Sequence, residues 1–150
     1  MAYNGSMRVL ALDIGEKRVG VATGDTSARI ALPLTILAAK DLSAGSPAFR
    51  RLIEDHEPEL LVIGLPLSLS GEETQQTQRV RDCAERLAAA TGLPLVYQDE
   101  RLSSAEARRH LREAGCTERE MRGRIDAVAA SLILRAYLDA AVFEQAEGSE

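Results

Sequence analysis

Apolar and polar positions along this chain fall into blocks whose period changes, and each change marks an element. Residues 8–14, "RVLALDI", form a nearly continuous apolar run, as a strand buried on both faces requires. "RVGVATGD" (18–25) follows a "GEK" turn and reads as its hairpin partner. "RIALPLTIL" (29–37) is a third strand, and Pro33 sets it at an edge or interrupts it, because proline cannot donate to a ladder. The period then becomes helical. Ser46 and Pro47 serve as cap and first residue, and Phe49, Leu52, Ile53 and His56 share a face until Pro58 ends it. "LLVIG" (60–64) is a second buried strand, followed by the polar loop "LPLSLSGEETQQ". Val80, Cys83, Ala84, Leu87 and Ala88 recur at helical spacing, with Gly92 as C-terminal cap. "PLVYQDE" is a fifth strand ending in acids. Ser103 with Glu106 makes a capping box for a helix through about Ala114. A polar, arginine-rich connection leads to a last helix on which Ile125, Ala129, Leu132, Ile133, Ala136 and Ala140 align.

Hairpin strands first and strand–helix–strand alternation later imply one α/β domain over residues 7–144, a five-stranded mixed sheet with helices on both faces. Residues 1–6 precede the first strand pattern and read as an expression scar or an alternative start; residues 145–150 read as a frayed tail.

Composition sharpens the picture. The chain has 150 residues, 45% of them hydrophobic but only 3% aromatic and none of them Trp, so one core must be built from Leu, Ile, Val and Ala. Apolar runs stay short of the roughly 20 residues that span a bilayer, and the start lacks a secretory pattern. This implies a cytoplasmic protein with no membrane partner. Cys83 and Cys116 show neither metal-ligand nor redox-motif spacing and read as reduced thiols. A net charge of −5 argues against coating nucleic acid by bulk electrostatics. The charge is uneven, however: from Arg101 to Arg124 seven Arg stand among four Glu. Arg108, Arg109 and Arg112 in that stretch suit a phosphate-tracking edge, and equally the solvated face of a helix.

Three acids need a chemical reason. A carboxylate inside an apolar strand is costly unless it is paired, hydrogen-bonded or metal-bound, and Asp13 is so placed. It ends its strand, where the crevice of an open α/β sheet collects ligands. Glu100 stands at the corresponding end of another strand; its neighbour Asp99 should face the opposite side. Asp126 lies in the first turn of the last helix, close to the packed stripe, where a favourable interaction with the helix dipole is the alternative reading. Converging carboxylates repel one another unless a divalent cation neutralises them. Oxygen ligands without His or Cys suit Mg²⁺ or Mn²⁺ rather than Zn²⁺, and two such ions about 4 Å apart are a known device for phosphodiester hydrolysis.

Four segments in order, "LALDIGEKRVGVATGD", "VIGLPLSLSGEETQQTQRVRDCAERL", "YQDERLSSAEARRHL" and "IDAVAASLILRAYL", resemble the YqgF (RuvX) family of Holliday-junction resolvases and pre-16S ribosomal RNA nucleases, from about Met7 to Leu138. The resemblance implies a ribonuclease H-like fold with Asp13, Glu100 and Asp126 as the catalytic, metal-binding triad. It also implies phosphate or product contacts for Lys17, Arg18 and Arg101; a solvated turn residue is the alternative for Lys17, and an ion pair with Asp99 or Glu100 for Arg101. Gly64, Pro66 and Gly71 belong to the loop after the fourth strand, which in this fold borders the cleft; a structural role in the turn is favoured for them over direct substrate contact, with Gln75 and Gln78 as candidate hydrogen-bond donors. The implied function is metal-dependent cleavage of structured nucleic acid, ribosomal RNA precursor ahead of branched DNA. Beside it stand a non-catalytic nucleic-acid- or ribosome-binding module, and a kinase-like phosphate hairpin, disfavoured because such proteins need two domains of this kind. A monomer and a homodimer are both compatible with the sequence.

Overall fold

The computed structural model describes residues 6–101 and 103–148. The strands are β1 (Arg8–Ile14), β2 (Arg18–Asp25), β3 (Ile30–Ala38), β4 (Leu60–Leu65) and β5 (Leu95–Asp99). The helices are α1 (Pro47–His56), α2 (Gln75–Thr91), α3 (Ser103–Glu113), α4 (Glu118–Arg122) and α5 (Ile125–Gly148). One five-stranded sheet runs in the order β3-β2-β1-β4-β5. The first three strands pair antiparallel, and β1–β4 and β4–β5 pair parallel. This is the mixed sheet expected from the element order.

Alternation along β1 divides the core. Leu10, Leu12 and Ile14 pack with Phe49 and Leu52 of α1 and Val80, Ala84 and Leu87 of α2. Val9 and Ala11 pack on the other face with Ala130, Ile133, Leu134 and Leu138 of α5. Both faces are therefore covered, and the strand reads as a continuous apolar run for that reason. Asp13 shares the parity of Val9 and Ala11, which directs it toward α5. Pro33 is on the edge strand as expected, beside a register shift at Val21/Ala22 that leaves Leu34 unpaired.

Helix ends follow side-chain chemistry. Ser46 Oγ accepts from the Phe49 N–H at 3.1 Å, and Gly92 closes α2 in the left-handed region at φ 76°. Three expectations need correction. α2 opens at Gln75 behind a Thr74–Thr77 capping box, five residues before the apolar stripe becomes visible, because its first turn presents a polar face. The polar, arginine-rich connection contains a further helix, α4, signalled by the Thr117–Glu120 capping box. Ala136 and Ala140 of α5 are exposed, since Ala130, Leu134 and Leu138 form the stripe that meets the sheet. α5 runs to Gly148, there being no Gly or Pro between Ile125 and that point. Residues 1–5 and 149–150 of the expected leader and tail lie outside the described residues.

Candidate active site

The site is assembled at the ends of β1 and β5 under the first turn of α5. Asp13 lies one residue from the end of β1, in register with Gly20 of β2. Glu100 follows β5, and its N–H donates to the Leu65 carbonyl at 3.2 Å, which extends the ladder by one bond. Its parity is that of Val96, on the α5 face, whereas Asp99 shares the other face with Tyr97 and Leu95. Gly64 makes room for it: a Cβ there would stand 2.9 Å from Glu100 Oε2 and 2.6 Å from Ile133 Cδ1. Gly64 therefore acts inside β4 rather than in the loop after it.

Gly20 plays the same part for the third acid. A Cβ at Gly20 would stand 1.9 Å from the Asp126 carbonyl oxygen, so the backbone of α5 rests directly on β2 at the residue that carries the carboxylate. Asp13, Glu100 and Asp126 then line one cleft of about 510 Å³, rimmed by Pro66, Leu67, Ser68 and Leu69 of the loop after β4 and by Gln76 of α2.

Electrostatics separate the three acids into a pair and a neighbour. Asp13 and Glu100 are hydrogen-bonded to each other in a mostly buried position. Burial raises the Asp13 pKa, opposed by the hydrogen bond from Glu100 and reinforced by the charge of Asp126. Burial, then the hydrogen bond to Asp13 and its charge, push Glu100 up to about 9. Without a cation the pair resists double ionisation, because burial and mutual repulsion both favour a protonated carboxyl. Asp126 instead turns to Arg18, whose Nε donates to Asp126 Oδ2 at 2.9 Å. Accordingly, among the described residues no three His, Cys, Asp or Glu side chains stand together as a ready cation cage. The expected convergence is realised for Asp13 and Glu100; Asp126 reaches the same cleft with its carboxylate spent on the nearest guanidinium.

The raised Glu100 pKa has a sign. Between about pH 4.5 and 9 the folded protein keeps a proton that the unfolded chain has released, so metal-free stability falls as pH rises through that window. Below it both states are protonated and nothing is lost. Urea midpoints at pH 5, 7 and 9 should fall progressively further for the wild type than for Glu100→Gln, whose amide cannot titrate. Parallel profiles for the two proteins contradict the shared proton.

The basic residues are distributed less simply than the sequence implies. Arg101 lines the cleft, but its N–H and Nε donate to Asp99 at 2.8 Å each and its NH1 donates to the Leu69 carbonyl at 3.0 Å. The guanidinium keeps the Asp99 carboxyl below its ordinary range. It holds the rim loop as built, the alternative already open for it. Lys17 is exposed in the β1–β2 turn, its carbonyl accepting from Ala39 N–H at 2.8 Å. Arg108, Arg109 and Arg112 lie on the exposed face of α3, outside the residues that line the cleft, with Arg108 3.9 Å from Glu118. Gln75 and Gln78 belong to α2 rather than to the loop, and Gln78 Nε2 donates to Asp82 Oδ1 at 2.9 Å. Gln76, in the first turn of α2, takes the cleft position.

A family model described as RuvX, Holliday junction resolvase, matches residues 7–140. The chain belongs to the RuvX family. Members similar to it include proteins named as candidate pre-16S rRNA nucleases. That of Methylobacillus flagellatus is 44% identical over 131 residues, covering 87% of this chain and 90% of that one. That of Anaeromyxobacter sp. (strain Fw109-5) is 42% identical over 133 residues, covering 89% of this chain and 97% of that one. Among solved structures, the Fowlpox virus resolvase in complex with substrate Holliday junction DNA superposes with a TM-score of 0.54 at 9% identity, covering 90% of this chain and 99% of that one. At that identity the likeness concerns the fold, which is ribonuclease H-like, as the family resemblance implied.

Proposed function

We propose that this RuvX-family chain is a divalent-metal-dependent nuclease that hydrolyses phosphodiester bonds in structured nucleic acid, pre-16S ribosomal RNA first, in the cytoplasm. The observation that carries this reading is the half-buried Asp13–Glu100 carboxyl pair in a cleft that a third acid, Asp126, also lines. A hard divalent cation fits that donor set: it consists of carboxylate oxygens, and their repulsion is what the cation relieves. Asp13 and Glu100 would hold it, joined by Asp126 once that carboxylate leaves Arg18. When bound, one or two Mg²⁺ or Mn²⁺ ions supply positive charge to the phosphoryl oxygens and acidify the attacking water.

The chain's own residues do the rest. Gly64 and Gly20 fix the distances by admitting Glu100 and the start of α5 so closely. Asp99 clamps Arg101, and Arg101 in turn holds the Leu69 carbonyl, which sets the rim against which a strand would lie. That rim is stiffened by Thr77 Oγ1 donating to the Pro66 carbonyl and by the paired contacts of Arg81 with Glu73 at 3.0 and 2.8 Å. Among the described residues no helix is long and apolar enough to cross a membrane.

The test is incubation of purified protein with labelled pre-16S RNA, unstructured RNA and a four-way DNA junction, in Mg²⁺ or Mn²⁺ and in chelator. Cleavage of the precursor RNA in metal alone is the expected result. The family description favours a Holliday junction as the second reading, and cleavage of the junction with the RNA left intact selects it. Cleavage of none assigns the chain to a non-catalytic nucleic-acid- or ribosome-binding module.

Arg108, Arg109 and Arg112 enter as long-range phosphate contacts flanking the cleft. Replacing all three by Ala should lower the slope of log K against log salt by about 2, since each lost phosphate contact removes about 0.7–0.9. Filter binding at four salt concentrations measures it. An unchanged slope makes them the solvated face of α3.

A further inference from the structure

We propose that Arg18 is a positioning residue that keeps Asp126 out of the Asp13–Glu100 site until a nucleic-acid phosphate takes its guanidinium, so that cation and nucleic acid bind cooperatively. The inference rests on the nuclease reading and adds to it an order of assembly.

The backbone leaves Asp126 little other choice. Gly20 seats the Asp126 carbonyl against β2, so α5 is fixed there and only the side chain turns. Inward lie the half-buried Asp13 and Glu100; outward lies Arg18, the first residue of β2, itself fixed by pairing with Ala38 and by the Gly15 N–H bonded to its carbonyl at 2.9 Å. In the cation-free molecule the inward position is repulsive, and the carboxylate takes the guanidinium.

The outward contact is a weak one. It uses Nε alone, and the Arg18 side chain is 60% exposed against 26% for Asp126. Exposed ion pairs of this kind contribute little, whereas a phosphate accepts two parallel N–H bonds from one guanidinium. A backbone phosphate arriving at the cleft mouth therefore competes well for Arg18. Its arrival releases the third carboxylate and removes a positive charge from the cation's neighbourhood. Arg101 has no such freedom, because Asp99 and the Leu69 carbonyl occupy it. Linkage makes the effect reciprocal: whatever factor nucleic acid adds to cation affinity, the cation adds to nucleic-acid affinity.

The experiment is calorimetric titration of Mn²⁺ into the full-length protein without nucleic acid, for the wild type, Arg18→Ala, Arg18→Gln, Asp126→Asn and the Arg18→Ala, Asp126→Asn double variant. Arg18→Ala and Arg18→Gln should bind Mn²⁺ about fivefold more tightly than the wild type, the lower end of ordinary coupling. In the Asp126→Asn background the Arg18 substitution should change nothing. A phosphorothioate-linked RNA hairpin should tighten Mn²⁺ binding to the wild type by a similar factor and leave Arg18→Ala unchanged. Equal Mn²⁺ affinity in the wild type and Arg18→Ala overturns the proposal. So does a fivefold gain that survives in Asp126→Asn, which would make Arg18 a mere distant charge. Asp13→Asn separates the underlying reading: if it binds Mn²⁺ as tightly as the wild type, the cation site itself is misplaced, whatever Arg18 does.

Discussion

Asp13→Asn should lower the cleavage rate at least about a thousandfold, roughly 4 kcal/mol of transition-state stabilisation, while the protein remains folded. The amide is nearly isosteric with the carboxylate and still meets Glu100 by a hydrogen bond, so the packing of β1 against α5 survives. What is lost is one of the three carboxylates that line the cleft. Metal-free stability should rise, by about 1 kcal/mol, because a buried carboxyl whose pKa is already raised by burial no longer has to be accommodated. Mn²⁺ should then raise the melting temperature of the wild type more than that of the variant, as for any ligand that binds the folded state. Thermal melts with and without Mn²⁺, run beside a cleavage assay, measure both halves. Equal shifts in the two proteins, or full activity in Asp13→Asn, remove Asp13 from the centre of the site.

Gly20→Ala should have the next largest effect, although the residue touches no substrate. Its new methyl would meet the Asp126 carbonyl oxygen at 1.9 Å, a backbone atom that cannot swing aside as a side chain would, so α5 must lift from β2. Overpacking of this kind costs about 1–3 kcal/mol. Because the residue displaced carries the third acid, cleavage should fall by about a hundredfold, the usual consequence of misplacing a catalytic group by an ångström. Gly45→Ala is the control, since a Cβ at Gly45 meets nothing within 4 Å. Urea denaturation and initial cleavage rates of the three proteins decide it. A Gly20→Ala protein as stable and active as Gly45→Ala would mean that α5 does not owe its seat to that glycine.

The contrast between these positions explains what was readable from the sequence. The acids of β1 and β5 were, because strand parity and the cost of burying a charge are local arguments: Asp13 stands out in "VLALDIG", and Glu100 falls on one face while Asp99 falls on the other. Pro33, Ser46 and Gly92 were readable for the same reason, each carrying a backbone constraint in its own chemistry. The Arg18–Asp126 pair joins residues 108 positions apart and depends on how α5 lies across β2. No local pattern encodes it. Gly20 lies in a strand pattern that carries no sign of the helix packed above it. The polar first turn of α2 hid Gln76, since an apolar stripe is the only periodic signal and that turn lacks one. The basic stretch was visible as composition, but whether an arginine clamps a loop, like Arg101, or lies open on a helix, like Arg109, is decided by neighbours that the strand and turn bring in from elsewhere.

The proposed function turns on a cation held by Asp13 and Glu100, and anomalous diffraction from crystals soaked in Mn²⁺ locates it directly. The expected map has its strongest peak between the Asp13 and Glu100 carboxylates, with the proton between them displaced. A strongest peak elsewhere on the protein, with the Asp13–Glu100 hydrogen bond intact at saturating Mn²⁺, would contradict it.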